Sequence, residues 1–184
     1  MADLPALPHP GAATLVRLAG AAGVAGGLCW AVKSGLILAT GVQPPLTLEL
    51  ALPLLGACLV GVAHLVLPPS RRRTVVAAAA WFAVGTGLVA LTGELLGEIL
   101  DPFIAAWALA LLTGQLCLLK VHLSPAPLTF WTGVGTVPAL LVGGALAEVD
   151  ERLLEIPLLC LGLAWTSIGI ATLRRSTDTL TRVG

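Results

Sequence analysis

The chain has no tyrosine and no asparagine, one methionine, 4% aromatic residues and only 11% charged residues over 184 positions. Each shortage excludes something. A soluble domain carries about a quarter of its residues as Asp, Glu, Lys and Arg, so this chain cannot clothe a water-facing surface. Net charge is zero and the longest basic run is Arg71 to Arg73, which removes the electrostatic footprint of a nucleic-acid binder. Cys29, Cys58, Cys117 and Cys160 form no Cys-x-x-Cys pair and read as small buried hydrophobes. His64 and His122 have no carboxylate at a ligand spacing, so neither a metal site nor a cofactor is expected. Two lysines stand beside eight arginines, the bias of a GC-rich bacterial genome, and that bias discounts the abundance of Ala, Gly, Val and Leu.

What is present is apolar length. Hydrophobic residues make up 57% of the chain and mean hydropathy is +0.97, so a bilayer must act as the solvent. A crossing takes about 20 apolar residues over about 30 Å of hydrocarbon. Six stretches qualify, at 15–41, 46–67, 74–97, 102–120, 128–147 and 154–173. The expectation is an all-α, polytopic transmembrane bundle of six helices over 15–173, between a short N-terminal segment 1–14 and a tail 174–184. Pro45 is expected in the first turn of span two, Pro68 and Pro69 end that span, and Asp101-Pro102 reads as the N-cap and first helical position of span four. Pro125 and Pro127 separate spans four and five, and Pro138 is expected to kink span five. The small-residue run 19–27 continues too far to be a signal peptide, so span one is retained.

The charges sort by side. Arg17, Arg71, Arg72, Arg73, Lys120, Arg174, Arg175 and Arg182 fall on one set of connections, against Arg152 alone on the other. The positive-inside rule then makes both termini cytoplasmic, in a bacterial inner membrane. The outer connections gather Glu94, Glu98, Asp101, Glu148, Asp150, Glu151 and Glu155, with Glu49 just inside them. Such acids are ordinary solvated loop ends or, functionally, a vestibule that concentrates cations.

Small residues let membrane helices approach closely, which marks Gly23, Gly26, Gly27, Gly85 and Gly87 as packing positions. They also offer faces to a homo-oligomer or another membrane protein. Residues 31–41 match 83–93 at six of eleven positions, with Gly35 against Gly87 and Gly41 against Gly93, and 133–143 joins weakly. Glu49 with Pro53 and Glu155 with Pro157 begin two even spans alike. The pattern suggests three tandem hairpins of about 50 residues related about the membrane normal.

Lys33 is the residue to single out. It lies about 12 Å below the outer end of span one, and a buried ammonium is expensive unless it is paired or hydrated. Either it snorkels to the headgroups, or it faces the bundle and pairs with Glu49 or Glu94. Gln115 and Thr113 on span four, with Thr86 and Thr92 on span three, line a path or bond neighbouring helices. The tryptophans at 30, 81, 107, 131 and 165 mix interfacial and interior positions. The solute-binding or pathway candidates are thus Lys33, Glu49, Glu94 and Gln115, with no catalytic set; an acid pair such as Glu94 and Glu98, one turn apart, is what an enzyme reading would use.

In layout, though in no diagnostic motif, the chain resembles the amide and urea channels, built from three hairpins, and the six-span substrate-capture subunits of vitamin importers. The resemblance implies a small-solute channel, transporter or capture subunit; the absence of tyrosine departs from the aromatic constriction of the channels. The alternative is an accessory or scaffold subunit of a membrane complex.

Overall fold

The computed structural model describes residues 10–97 and 101–181, and Glu98 and Arg182 fall outside them. Among the described residues there is no strand; six α-helices follow one another: α1 (Pro10–Thr40), α2 (Thr47–Val66), α3 (Arg71–Leu95), α4 (Asp101–Leu116), α5 (Ala126–Ala147) and α6 (Glu155–Thr181), with a 3-10 turn at Glu151–Leu154 before α6. Five of the six are long and apolar enough to cross a bilayer. The sixth, α4, has 16 residues, about 24 Å at 1.5 Å per residue. It nevertheless connects the two ends of the bundle, because α3 finishes at one end and α5 starts at the other.

Local chemistry explains the boundaries. Gly41 closes α1 at φ +72, a conformation free of strain only for glycine, and its N–H bonds the Ile37 carbonyl at 2.8 Å. Span two starts at Thr47 rather than at Pro45, because Leu46 takes the left-handed conformation that turns the chain into α2. Ser70 caps α3 by accepting from the Arg73 N–H. Asp101 is the first helical residue of α4 rather than its cap. Asp150 caps the 3-10 turn by accepting from the Arg152 N–H at 2.9 Å.

The helices pack antiparallel in sequence order, and α6 closes the ring on α1. The closest packing is between α1 and α6, then between α1 and α2, while α5 touches α4 and α6 thinly. Glycine sets this order. A Cβ at Gly27 would lie 2.4 Å from the Thr166 nitrogen, one at Gly169 2.4 Å from the Val24 nitrogen, and one at Gly162 2.8 Å from the Ala31 nitrogen. The α1 and α6 backbones therefore touch along three turns, as small residues allow in lipid. Gly23 and Gly26 meet α2 at Cys58 and at Leu54 and Leu55, and Gly87 meets α2 at Leu52 and Pro53. Gly85, expected to pack, faces open space, and so does Gly35, the position aligned with Gly87. Each helix lies against the next in sequence, but α1–α2, α3–α4 and α5–α6 are packed unequally.

Helix α2 carries the core. Leu52, Leu55, Cys58, Leu59 and Val62 are fully buried, and they alternate at the three- and four-residue spacing of a helix enclosed on several sides. Outside the ring, Leu109, Trp131, Leu141 and many other large apolar side chains are exposed, a surface that suits lipid and would aggregate in water.

Candidate functional site

Pairing the helices end to end gathers the charges into two groups. At one end Arg72 of α3 donates to the carbonyls of Cys117 and Leu119, and Arg175 of α6 donates to the Ser124 carbonyl. The Cys117 and Leu119 carbonyls have no helical donor once α4 has stopped, so Arg72 seals the C-terminal end of the short helix, while Arg175 ties α6 to the connection before α5. At the other end lie Glu94, Asp101, Glu148, Asp150 and Glu151, all exposed.

Below that acidic rim are three buried charged side chains. Lys33 is 6% exposed, Glu49 7% and Glu155 5%. The Lys33 ammonium donates to Glu155 Oε1 at 2.8 Å, and the Ser34 hydroxyl donates to Glu155 Oε2 at 2.7 Å. Both oxygens of Glu155 are thus held by adjacent residues of α1, with charge-assisted geometry on one side. Lys33 neither snorkels nor pairs with Glu49 or Glu94. Its partner is Glu155, because Ser34 lies seven residues after Gly27, on the stripe of α1 that α6 approaches most closely, and the first turn of α6 presents its acid there.

Glu49 is also at the head of its helix, in the first turn of α2. Its Oε2 is buried and has no hydrogen-bond partner among the described residues. Pro53, four residues on, lacks the N–H that would bond the Glu49 carbonyl. Beneath it Trp107 of α4 donates its indole N–H to the Leu52 carbonyl at 2.7 Å, and its ring lies 5.9 Å from that of Trp30 at an interplanar angle of 47°. The Trp30 Nε1 is buried and likewise has no partner among the described residues.

The other candidates lie elsewhere. Glu94 is exposed at the end of α3. Gln115 is 2% exposed, donates to the Thr129 carbonyl of α5 at 3.3 Å and lies against Gly133, so its amide joins α4 to α5. Thr86, Thr92 and Thr113 donate to carbonyls of their own helices. His64 Nδ1 sits 2.8 Å from the Val60 carbonyl of its own helix.

In the sequence Glu155 reads as part of the acidic rim and as a counterpart of Glu49, not as the partner of Lys33. The signal that could have found it was that parallel: both acids open an even helix with a proline shortly after. Ser34, next to Lys33, carried no signal of its own.

No protein-family model, curated protein or solved structure matches this chain. What can be said of its function rests on the physical chemistry of these buried groups.

Proposed function

We propose that this multi-pass membrane protein binds or passes a small solute, as a channel, a transporter or a capture subunit, through the buried charged group near its acidic end. The observation that carries the reading is an imbalance among the buried charged side chains: two are carboxylates, Glu49 and Glu155, one is an ammonium, and the ammonium is paired with Glu155 while Glu49 Oε2 has no partner among the described residues. A structural ion pair accounts for Lys33 and Glu155 and leaves Glu49 unexplained. Buried charges without partners are costly, and inside membranes they mark solute and ion pathways. In this reading Glu49 contacts the solute, the Lys33–Glu155 pair lies at the same end of the bundle, and exposed Glu94 belongs to an outer acidic rim that attracts cations. The arginine-rich end faces the cytoplasm with both termini, in a bacterial plasma membrane.

The test uses purified protein in lipid nanodiscs and in liposomes, against a panel of cationic, anionic and neutral small solutes. Solute from one class is expected to raise the melting temperature of the wild type or cross its liposomes, and Glu49→Gln to abolish the effect. Absence of any shift, with flux equal to that of empty liposomes, refutes the reading.

A second reading, an accessory subunit, is favoured by α5. Its outward face is apolar and thinly packed, and with α6 it forms an open apolar groove lined by Trp131, Gly135, Ala139, Pro157, Cys160 and Ala164. Site-directed cross-linking through the native Cys160, exposed in that groove, would give a defined adduct with a partner helix if this role holds and only unmodified chain if it does not.

A further inference from the structure

The groove between α5 and α6 has apolar walls and a basic end. On α6 its lining recurs at Pro157, Cys160 and Ala164, one stripe of the helix. Arg175 lies eleven residues after Ala164, about three turns, and so continues that stripe. On α5 the lining begins at Leu128, four residues after Ser124, whose carbonyl accepts from the Arg175 guanidinium at 2.5 Å. Both walls therefore lead down to Arg175. Arg174 is exposed next to it, and the connection that Arg175 holds carries exposed Lys120 and is gripped at its other end by Arg72. Asp178, three residues after Arg175, offsets only one of these charges.

The walls give a ligand nothing polar to bond. Thr132, the one hydroxyl in the lining, donates to the Leu128 carbonyl of its own helix at 2.8 Å. An occupant that fits is apolar along the groove and anionic at its basic end. Size narrows it further. The groove runs from Leu128 to Leu146, about 27 Å at 1.5 Å per residue. Its volume of about 570 Å³ takes about 19 units the size of a water molecule or a methylene. That is one long acyl chain. A helix about 10 Å across would occupy about 2,000 Å³ over the same length, so only one edge of it would enter.

We propose that this groove holds an anionic phospholipid from the leaflet at the basic end, its phosphate at Arg174 and Arg175 and one acyl chain laid between α5 and α6. The inference goes beyond the solute-binding reading and does not depend on it. The chain takes up space that the side chains leave open: a Cβ at Gly135, in the groove wall, would meet nothing within 4 Å.

The test places the Trp81→Phe protein in phosphatidylcholine nanodiscs with a small fraction of phosphatidylglycerol, the dibrominated chains being on one lipid or the other. Trp131 lines the groove and is 65% exposed, whereas Trp107 and Trp165 are buried. Removing Trp81, 55% exposed on α3, leaves Trp131 as the main fluorophore within reach of bromine. Brominated phosphatidylglycerol is expected to quench it at a mole fraction at least about fivefold lower than brominated phosphatidylcholine, the preference that one arginine gives near a membrane surface. Arg174→Gln, which keeps the bond from Arg175 to Ser124, should reduce that preference, and adding Arg175→Gln should abolish it. Gly135→Leu fills the groove where no atom stands in its way, so it should melt no lower than the parent protein and lose the preferential quenching. Equal quenching by the two lipids, or a preference that survives Gly135→Leu, overturns the inference. So does a dimer or a bound partner chain in native mass spectrometry with Trp131 shielded from both lipids, since a helix then fills the groove. None of these results involves Glu49 or the solute panel, so failure here leaves the solute-binding reading standing.

Discussion

Removing Lys33 or Glu155 tests whether the ring is closed by an ion pair. At 2.8 Å and an effective dielectric of about 20, the Coulomb attraction is about 6 kcal/mol, and the desolvation of two ions offsets several kcal/mol of it. What survives is measured by a double-mutant cycle. Interhelical hydrogen bonds in membranes couple by at most about 1.7 kcal/mol in measured cycles, and charge assistance about doubles such a bond. The coupling between Lys33→Met and Glu155→Gln should therefore be about 2 to 3 kcal/mol. Each single variant should lose about 3 kcal/mol or more, because each strands a buried group, and the double variant should recover much of that loss. The assay is reversible unfolding in mixed micelles or bicelles, with all four proteins under one condition. The same cycle run with Glu49→Gln in place of Glu155→Gln should give less than half the coupling. A Lys33–Glu155 coupling below about 0.5 kcal/mol, the level of independent sites, or a larger coupling to Glu49, would refute the pairing.

The glycines give a contrast two residues apart: Gly87→Ala, whose Cβ would lie 2.7 Å from the Pro53 nitrogen, should cost about 1 to 3 kcal/mol, while Gly85→Ala, facing open space, should be neutral or stabilising by up to about 1 kcal/mol in the same unfolding assay. Gly27→Ala should exceed the cost of Gly87→Ala, since its Cβ would lie 2.4 Å from an α6 backbone nitrogen that no rotamer change can move. Arg72→Gln should lower stability by about 1 kcal/mol and speed amide exchange at the end of α4, read by hydrogen-exchange mass spectrometry, because two carbonyls lose their charged donor. A membrane-permeant maleimide should modify exposed Cys160 in the folded protein and leave buried Cys58 unmodified until it unfolds.

Hydropathy and proline spacing carried most of the architecture into the sequence. Spans two, three and five were legible to within three residues at each end because Pro68, Pro69, Pro125 and Pro127 are local signals acting on the backbone beside them. Span four was read as 19 residues and folds as 16, since nothing local announces the turn after Leu116; Arg72, 45 residues away, holds it. Lys33 was legible as an anomaly because a bilayer makes any ammonium costly. Its partner was not, since pairing depends on which helix lies across the glycine face of α1, and that contact joins residues more than a hundred positions apart. Gly27 opposite Thr166 is a tertiary fact with no counterpart in local periodicity.

The position of the ion pair bears on how the acidic end can respond to a ligand. Along most of its length α1 is held to α6 by backbone contact, which offers no alternative partner and no charge to titrate or displace. Only near the acidic end does that contact pass to side chains, Lys33 and Ser34 on Glu155. Lys33 lies seven residues after Gly26, on the stripe of α1 that meets α2, yet its ammonium crosses to α6. That end of the α1–α6 seam thus depends on a charge that can be displaced, whereas the rest depends on backbone contact. A ligand can shift an equilibrium only through its differential interaction with the two arrangements, so a solute that draws the Lys33 ammonium from Glu155 should lower the Lys33–Glu155 coupling. A coupling left unchanged by every bound solute would mean that the pair only holds the helices together.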